Sequence, residues 1–187
     1  MLQEMLLPIG VGLCLSAACG FRAFLPLLFV GAASRAGVFP LHGNYEWLSS
    51  TTGLAVLLTA SITEIVAYFI PFVDNALDVI STPLALAAGA ISMLVSFGDQ
   101  SGAIPWALAL ILGAGTSGVV QAATVKLRAL STGTTAGMGN AVVAGGELVG
   151  ASTLSLVALL VPVLALVFAT IVLLLLVKLV RGRRKAA

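Results

Sequence analysis

The sequence predicts an all-α transmembrane fold, a six-helix bundle built from two inverted three-helix repeats with a broken first helix in each repeat. Three observations predict it: an apolar composition, apolar stretches of bilayer length, and a self-similarity between the two halves. Hydrophobic residues make up 60% of the 187, charged residues only 9%, and the mean hydropathy is +1.16. A soluble domain carries roughly a quarter charged residues, so no soluble core would hide this much apolar surface. At roughly 20 apolar residues per crossing, the chain has room for at most about six or seven crossings and none for a separate soluble domain.

The elements follow in order. Met1 to Leu7 carries Glu4 and no Lys or Arg, so it lacks the basic start of a cleavable signal and reads as the beginning of the first span. The apolar stretch from Met5 to Ala33 is too long for an upright helix and contains Gly20, Arg22 and Pro26; it is expected to tilt, or to break near Ser16 to Gly20. A polar connection, Ser34 to Thr52, carries Arg35, His42, Glu46 and Trp47. The second span is Gly53 to Ile70, ended by Pro71. Phe72 to Ile80 reads as an interfacial linker with Asp74 and Asp78 four apart on one face. The third span runs from Pro83 to Phe97, and Pro105 opens a fourth that ends at Lys126 and Arg128. Ser131 to Gly139 reads as a loop or a small-residue interface. Asn140 to Val177 is apolar for about two bilayer widths, so it is read as two spans joined near Leu159 to Pro162.

Leu7-Pro8 through Ser34 can be laid on Ile104-Pro105 through Ser131 without a gap, which places SAACGFR on GAGTSGV. After a shorter connection, Thr51-Thr52-Gly53 falls on Thr134-Thr135-Ala136, and Glu64 falls on Glu147. Repeat 1 is then about 1–98 and repeat 2 about 101–180, together one membrane domain, with a basic tail at 181–187. Three spans per repeat, an odd number, make the copies inverted. That arrangement places a site at the interface of the repeats and permits alternating access.

Charge sets the expected topology. Lys126, Arg128 and the cluster Lys178, Arg181, Arg183, Arg184 and Lys185 would share one side, so both termini are expected in the cytoplasm of an inner or plasma membrane. Anionic lipid headgroups suit the tail better than nucleic acid, because the rest of the chain has no basic surface.

Intramembrane ionisable groups are the functional candidates, since a charge near the bilayer centre costs at least about 2.5 kcal/mol. Arg22 needs a partner, and Glu64 and Glu147 are the available acids. Arg22 would bind an anionic group or exchange partners as an ion enters, and the two glutamates would couple a proton or cation. The competing reading is a static ion pair that fixes packing. Ser16 and Gly20, with Thr116 and Ser117 in the matching stretch Gly113 to Gly118, are expected to unwind around a substrate, where only a cavity-lining position tolerates open backbone. Asp74, Asn75 and Asp78 resemble a cation entrance, an ordinary solvated helix face, or a cap beginning the third span. Gln121 fits packing, and Gly146 with Gly150 forms a GxxxG pair that suits a homo-oligomer or a close internal contact.

Cys14 and Cys19 read as buried free thiols, and His42 as a loop residue. No metal or cofactor site is expected, and no catalytic motif supports an enzyme. SAACGFRAFLPLL, Ser16 to Leu28, and EIVAYFIPFVDNALDVISTP, Glu64 to Pro83, resemble an uncharacterised family of small multi-pass membrane proteins of bacteria and plants, catalogued as a domain of unknown function. The resemblance implies a membrane-embedded helical protein without an assigned activity. It stresses Arg22, Glu64, Asp74, Asn75 and Asp78. The expected function is a small secondary transporter or ion-coupled carrier of a small solute or ion; the alternatives are a passive channel and a non-transporting, lipid-interacting scaffold.

Overall fold

The computed structural model describes residues 2–70, 73–98, 102–165, 167 and 171. Among them the regular structure is helical: α1 (Leu2–Phe21), α2 (Phe24–Arg35), a 3-10 helix (Gly43–Ser49), α3 (Thr51–Tyr68), α4 (Val73–Ser96), α5 (Ala103–Leu108), α6 (Gly115–Thr135) and α7 (Asn140–Leu160). Ala109–Ala114, between α5 and α6, is wound as a π-helix. Four of these stretches are long and apolar enough to cross a bilayer, namely Thr51–Tyr68, Ala76–Ser96, Ala103–Thr135 and Asn140–Leu160. The basic cluster from Lys178 to Lys185 and most of the expected last span lie outside the described residues.

The helices turn their polar stripes inward. On α3 the buried face reads Gly53, Leu57, Ser61, Glu64, Tyr68; on α6 it reads Ser117, Gln121, Thr124, Arg128; on α7 it includes Asn140, Ala144, Glu147, Ala151 and Ser155. Each follows the three-or-four-residue spacing of one helical face. The opposite faces present Val56, Leu58, Ile62 and Val66 on α3, Val119, Leu127 and Leu130 on α6, and Val142 and Val149 on α7. Apolar side chains outside and ionisable ones inside invert the soluble pattern. They match hydrocarbon as the surrounding solvent.

The first apolar stretch is a hairpin, which corrects the expected broken span. α1 runs unbroken through Ser16 and Gly20, and the helix stops only at Arg22 and Ala23 before α2 begins. Ile9 of α1 and Tyr45, beyond the end of α2, pack on one cluster of Met93, Leu94, Phe97 and Ala109. Both arms therefore open toward the same end of the bundle, here called upper, and Arg22 marks the tip inside it. α3 descends beside α2: Arg35 donates to the Thr51 hydroxyl at the top, while Glu64 meets the tip. α4 rises from Asp74, α6 descends from the Ala109 cluster, and α7 rises from Asn140. The lower end carries the end of α3, the start of α4 and the Thr135–Asn140 connection.

The small residues have a packing role. A Cβ on Gly20 would lie 2.6 Å from the Ser117 carbonyl oxygen, and one on Gly113 would lie 2.6 Å from that of Gly89. The Ser16 hydroxyl donates to the Gly89 carbonyl at 2.8 Å. α1, α4 and the α5–α6 rod thus cross with their backbones nearly touching, as small residues permit. The second half does not unwind either, because Gly113 to Gly118 continues the rod from the π segment into α6.

Two other expectations change. Phe72 to Ile80 is not a separate linker: α4 starts at Val73 and continues through Pro83. Ser131 to Thr135 belongs to α6, which ends where Ala136 takes a left-handed φ of 53° and Gly137 a φ of 88°. Helix α7 ends inside the stretch Leu159 to Pro162, where a connection was expected, with Val161 leaving helical geometry at φ −135° and ψ 70°.

Candidate functional site

The lower half of the interior holds a network of ionised and hydrogen-bonding side chains. Arg22 comes from the hairpin tip, Tyr68 from the end of α3, Asp74 and Asp78 from the first turns of α4, Arg128 from α6, and Asn140 and Glu147 from α7. Arg22 and Arg128 are each 0% exposed, and Glu147 is 3% exposed.

Glu147 is the hub. Its Oε2 lies 2.6 Å from Nη2 of Arg128 and 3.3 Å from Nη2 of Arg22, while its Oε1 accepts from Arg128 Nε at 3.1 Å. Nη1 of Arg128 pairs with Asp78. Both guanidiniums lie over the Tyr68 ring, with their central carbons 4.1 and 4.0 Å from its centroid. A cation over an aromatic face gains electrostatically from the ring quadrupole, more so away from water. The Tyr68 hydroxyl lies 2.7 Å from Ser81 Oγ and donates toward Asp78 at 3.3 Å. At the lower edge Asn140 donates to Asp74 and to Thr132.

Glu64 has a different partner. Its carboxylate accepts from the backbone N–H groups of Ala23 at 2.9 Å and Phe24 at 3.3 Å. Those are among the first N–H groups of α2, which have no partner within the helix, and the positive end of the helix favours an anion there. A carboxylate of α3 thus ties down the hairpin tip. Arg22 donates from Nη2 to the Ala144 carbonyl at 3.0 Å, but its Nε and Nη1 find no partner although the side chain is fully buried.

Two guanidiniums face three carboxylates, those of Glu64, Glu147 and Asp78, with Asp74 beside Asn140. With every group ionised these five side chains carry an excess negative charge, which a low-dielectric interior holds only at high cost. A proton or a cation removes that cost.

Outside the network, an open groove of about 620 Å³ lies between α3 and α4. Its walls include Val56, Ala60, Leu77, Ile80 and Leu84, and Phe24 and Glu64 also line it. The two glutamates do not share this cavity: Glu64 lines it, whereas Glu147 is enclosed between arginines.

Of the residues singled out in the sequence, Arg22, Glu64, Glu147, Asp74 and Asp78 come together. Ser16, Gly20 and Ser117 do not join them; they stand at the helix crossing, where Ser117 bonds the Gly113 and Ala114 carbonyls of its own rod. Thr116 is half-buried on the same helix. The Asn75 side chain lies outside the described residues. Gly150 meets Phe21 at an ordinary 3.4 Å and Gly146 faces open space, so no tight internal contact uses the GxxxG pair. Cys14 and Cys19 are buried free thiols. Among the described residues, no three of His, Cys, Asp and Glu are grouped to hold a metal ion.

Sequence reasoning missed Arg128, Tyr68 and Asn140 as members. Arg128 reads as a charge at a span end, yet it is central to the network. The signal was its place at the foot of the stripe Ser117, Gln121, Thr124.

A helical bundle with an apolar exterior and an ionic interior is an integral membrane protein. The chain belongs to the family described as Domain of unknown function (DUF4126), whose model matches residues 9–182. No curated protein and no solved structure matches the chain.

Proposed function

We propose that this protein is a small secondary transporter that couples movement of a solute to a proton. The observation that carries this reading is the sharing of Glu147 by Arg22 and Arg128: a carboxylate held by two guanidiniums from separate elements can pass between them as a proton arrives. Arg22 sits at the tip of a hairpin, so a change in its pairing acts on a segment that enters and leaves from one end. Discontinuous helices that end inside a bundle serve transporters in this way.

One part of the expected repeat has support. At the register that pairs Glu64 with Glu147, the buried residues Leu57, Ser61, Glu64 and Tyr68 match the buried Asn140, Ala144, Glu147 and Ala151. α3 descends and α7 rises, which supports an inverted relation for this pair. α1 and the α5–α6 rod both descend, so inversion does not extend to the first elements. Alternating access is accordingly assigned to movement of the α1–α2 hairpin against the other helices, in place of rocking between whole repeats.

Phospholipid vesicles holding the purified protein and an internal pH dye provide the test. A pH gradient is imposed in the presence of a small-molecule extract. Solute-dependent, saturating proton movement that Glu147→Gln abolishes supports the carrier. Equal movement in wild type and Glu147→Gln overturns it. Non-saturating movement indicates a channel, and none at all indicates a scaffold.

A further inference from the structure

The groove and the hairpin tip meet at Glu64 and Phe24, and their chemistries are complementary halves of one ligand. The groove is walled largely by apolar side chains on the outer surface of the bundle, where Val56 is 58% and Ile80 59% exposed. Lipid tails and chain-bearing solutes have direct access to such a surface. Its volume is that of a typical small-molecule site. Phe24, the first residue of α2, lines it beside Glu64, whose carboxylate holds the N–H groups of Ala23 and Phe24. At the same tip, Arg22 is 0% exposed and leaves Nε and Nη1 without acceptors. Buried guanidinium donors without acceptors are costly, and two of them beside a helix N-terminus call for a further anionic oxygen.

Resting on the carrier reading, we propose that the α3–α4 groove binds an amphiphile with one apolar chain and a carboxylate head, entering sideways from the bilayer. The head replaces Glu64 on the Ala23 and Phe24 N–H groups and supplies acceptors to Arg22. Glu64 takes up a proton as it leaves. One carboxylate replaces another at the tip and the proton neutralises the displaced one, so the charge of the network is unchanged. Anion and proton are thereby bound together. An amine of the same chain length fits the groove but not the donors of the tip.

The test uses the full chain in nanodiscs with radiolabelled decanoate as the probe and decylamine and decanol as competitors. Empty nanodiscs correct for partition. Saturable decanoate binding, displaced by unlabelled decanoate and not by decylamine, is expected. Ala60→Trp fills the groove from a half-buried position and should abolish it while leaving thermal unfolding close to wild type. Glu64→Gln weakens the internal competitor from a charged to a neutral acceptor and should tighten decanoate about tenfold. Binding no greater than empty nanodiscs, equal displacement by decylamine, or undiminished binding to Ala60→Trp overturns the proposal. Decanoate binding without proton-coupled flux supports the site while removing the carrier; coupled flux without decanoate binding does the reverse.

Discussion

Arg22 and Arg128 converge on one ring and one carboxylate: both guanidiniums lie about 4 Å from the centroid of Tyr68, and both reach Oε2 of Glu147. Two like charges in the interior of a membrane bundle are tolerable only because anions and a π-face hold them there. Removing one member therefore exposes the others to an unbalanced interior.

That dependence gives the first prediction. Breaking a buried pair by deleting one partner costs about 3–5 kcal/mol, whereas removing both is far milder. Arg128→Gln and Glu147→Gln should each lower stability strongly, and the double variant should lose much less than the two together. Chemical unfolding in micelles, arranged as a double-mutant cycle, measures the coupling. Additive losses would mean that the two side chains do not act as a pair.

Tyr68 contributes through its ring and through its hydroxyl, and the two can be separated. Tyr68→Phe keeps the ring under both guanidiniums and removes one hydrogen-bonding group, at a cost of about 1 kcal/mol. Tyr68→Leu removes both and should cost about 2–4 kcal/mol more, from lost cation–π and packing contacts. Melting temperatures in one detergent should fall in that order. Equal melting of the two variants would assign the role to the hydroxyl alone.

The glycines divide sharply by neighbourhood. A Cβ on Gly89 would lie 2.6 Å from that of Ser117 and 2.7 Å from the Gly113 carbonyl oxygen, both on a rod that cannot easily give way, while one on Gly146 meets nothing. Gly89→Ala should destabilise by about 1–3 kcal/mol through overpacking. Gly146→Ala should be neutral or slightly stabilising in the isolated chain, since alanine is the better helix former. A clear loss at Gly146 under conditions that preserve oligomers would indicate instead that this face contacts another copy.

Much of this arrangement is visible in the sequence, for physical reasons that also mark where reading fails. Glu64, Glu147 and Arg22 stand out because a charge inside an apolar run has few explanations. Arg128 does not, because lysines and arginines at span ends are ordinary, and only the stripe above it shows that it points inward. The hairpin is hidden for a related reason: α1 and α2 together have the length of one long tilted helix. What turns the chain is a tertiary contact, the carboxylate of Glu64 satisfying N–H groups that a continuous helix would have used itself. The matching positions in α6, Val120 and Gln121, lie inside an unbroken helix, and there the equivalent acid, Glu147, turns to arginines.

The hairpin also bears on the topology of the termini. With α1 entering from the upper end, the N-terminus belongs on the side of the Gly43–Ser49 helix. By sequence alone, the run from Val163 to Val177 is apolar enough for one more crossing, which would part the basic tail from the N-terminus. The positive-inside rule would then keep the excess of positive charge toward the cytoplasm, and the expected outcome is termini on opposite sides. Single cysteines at Gln3 and Ala187, in a background lacking Cys14 and Cys19, should react with an impermeant maleimide from opposite faces of the membrane. Labelling of both from the cytoplasm would restore the six-span topology.

Glu64 offers the sharpest separation of structure from coupling. Glu64→Ala leaves the N–H groups of Ala23 and Phe24 without their acceptor, and an orphaned buried donor costs about 1–3 kcal/mol each. Glu64→Gln retains one carbonyl oxygen of nearly the same reach, so the tip should stay in place with a loss of about 1–2 kcal/mol as a charged hydrogen bond becomes neutral. The amide cannot take up a proton as the acid does. Glu64→Gln should therefore hold the hairpin closed to hydrogen exchange at Ala23 and Phe24 while removing proton-coupled movement in vesicles, and Glu64→Ala should lose both. If Glu64→Gln transports with wild-type dependence on the pH gradient, Glu64 is a structural latch and the proton must travel through Glu147 and Asp78.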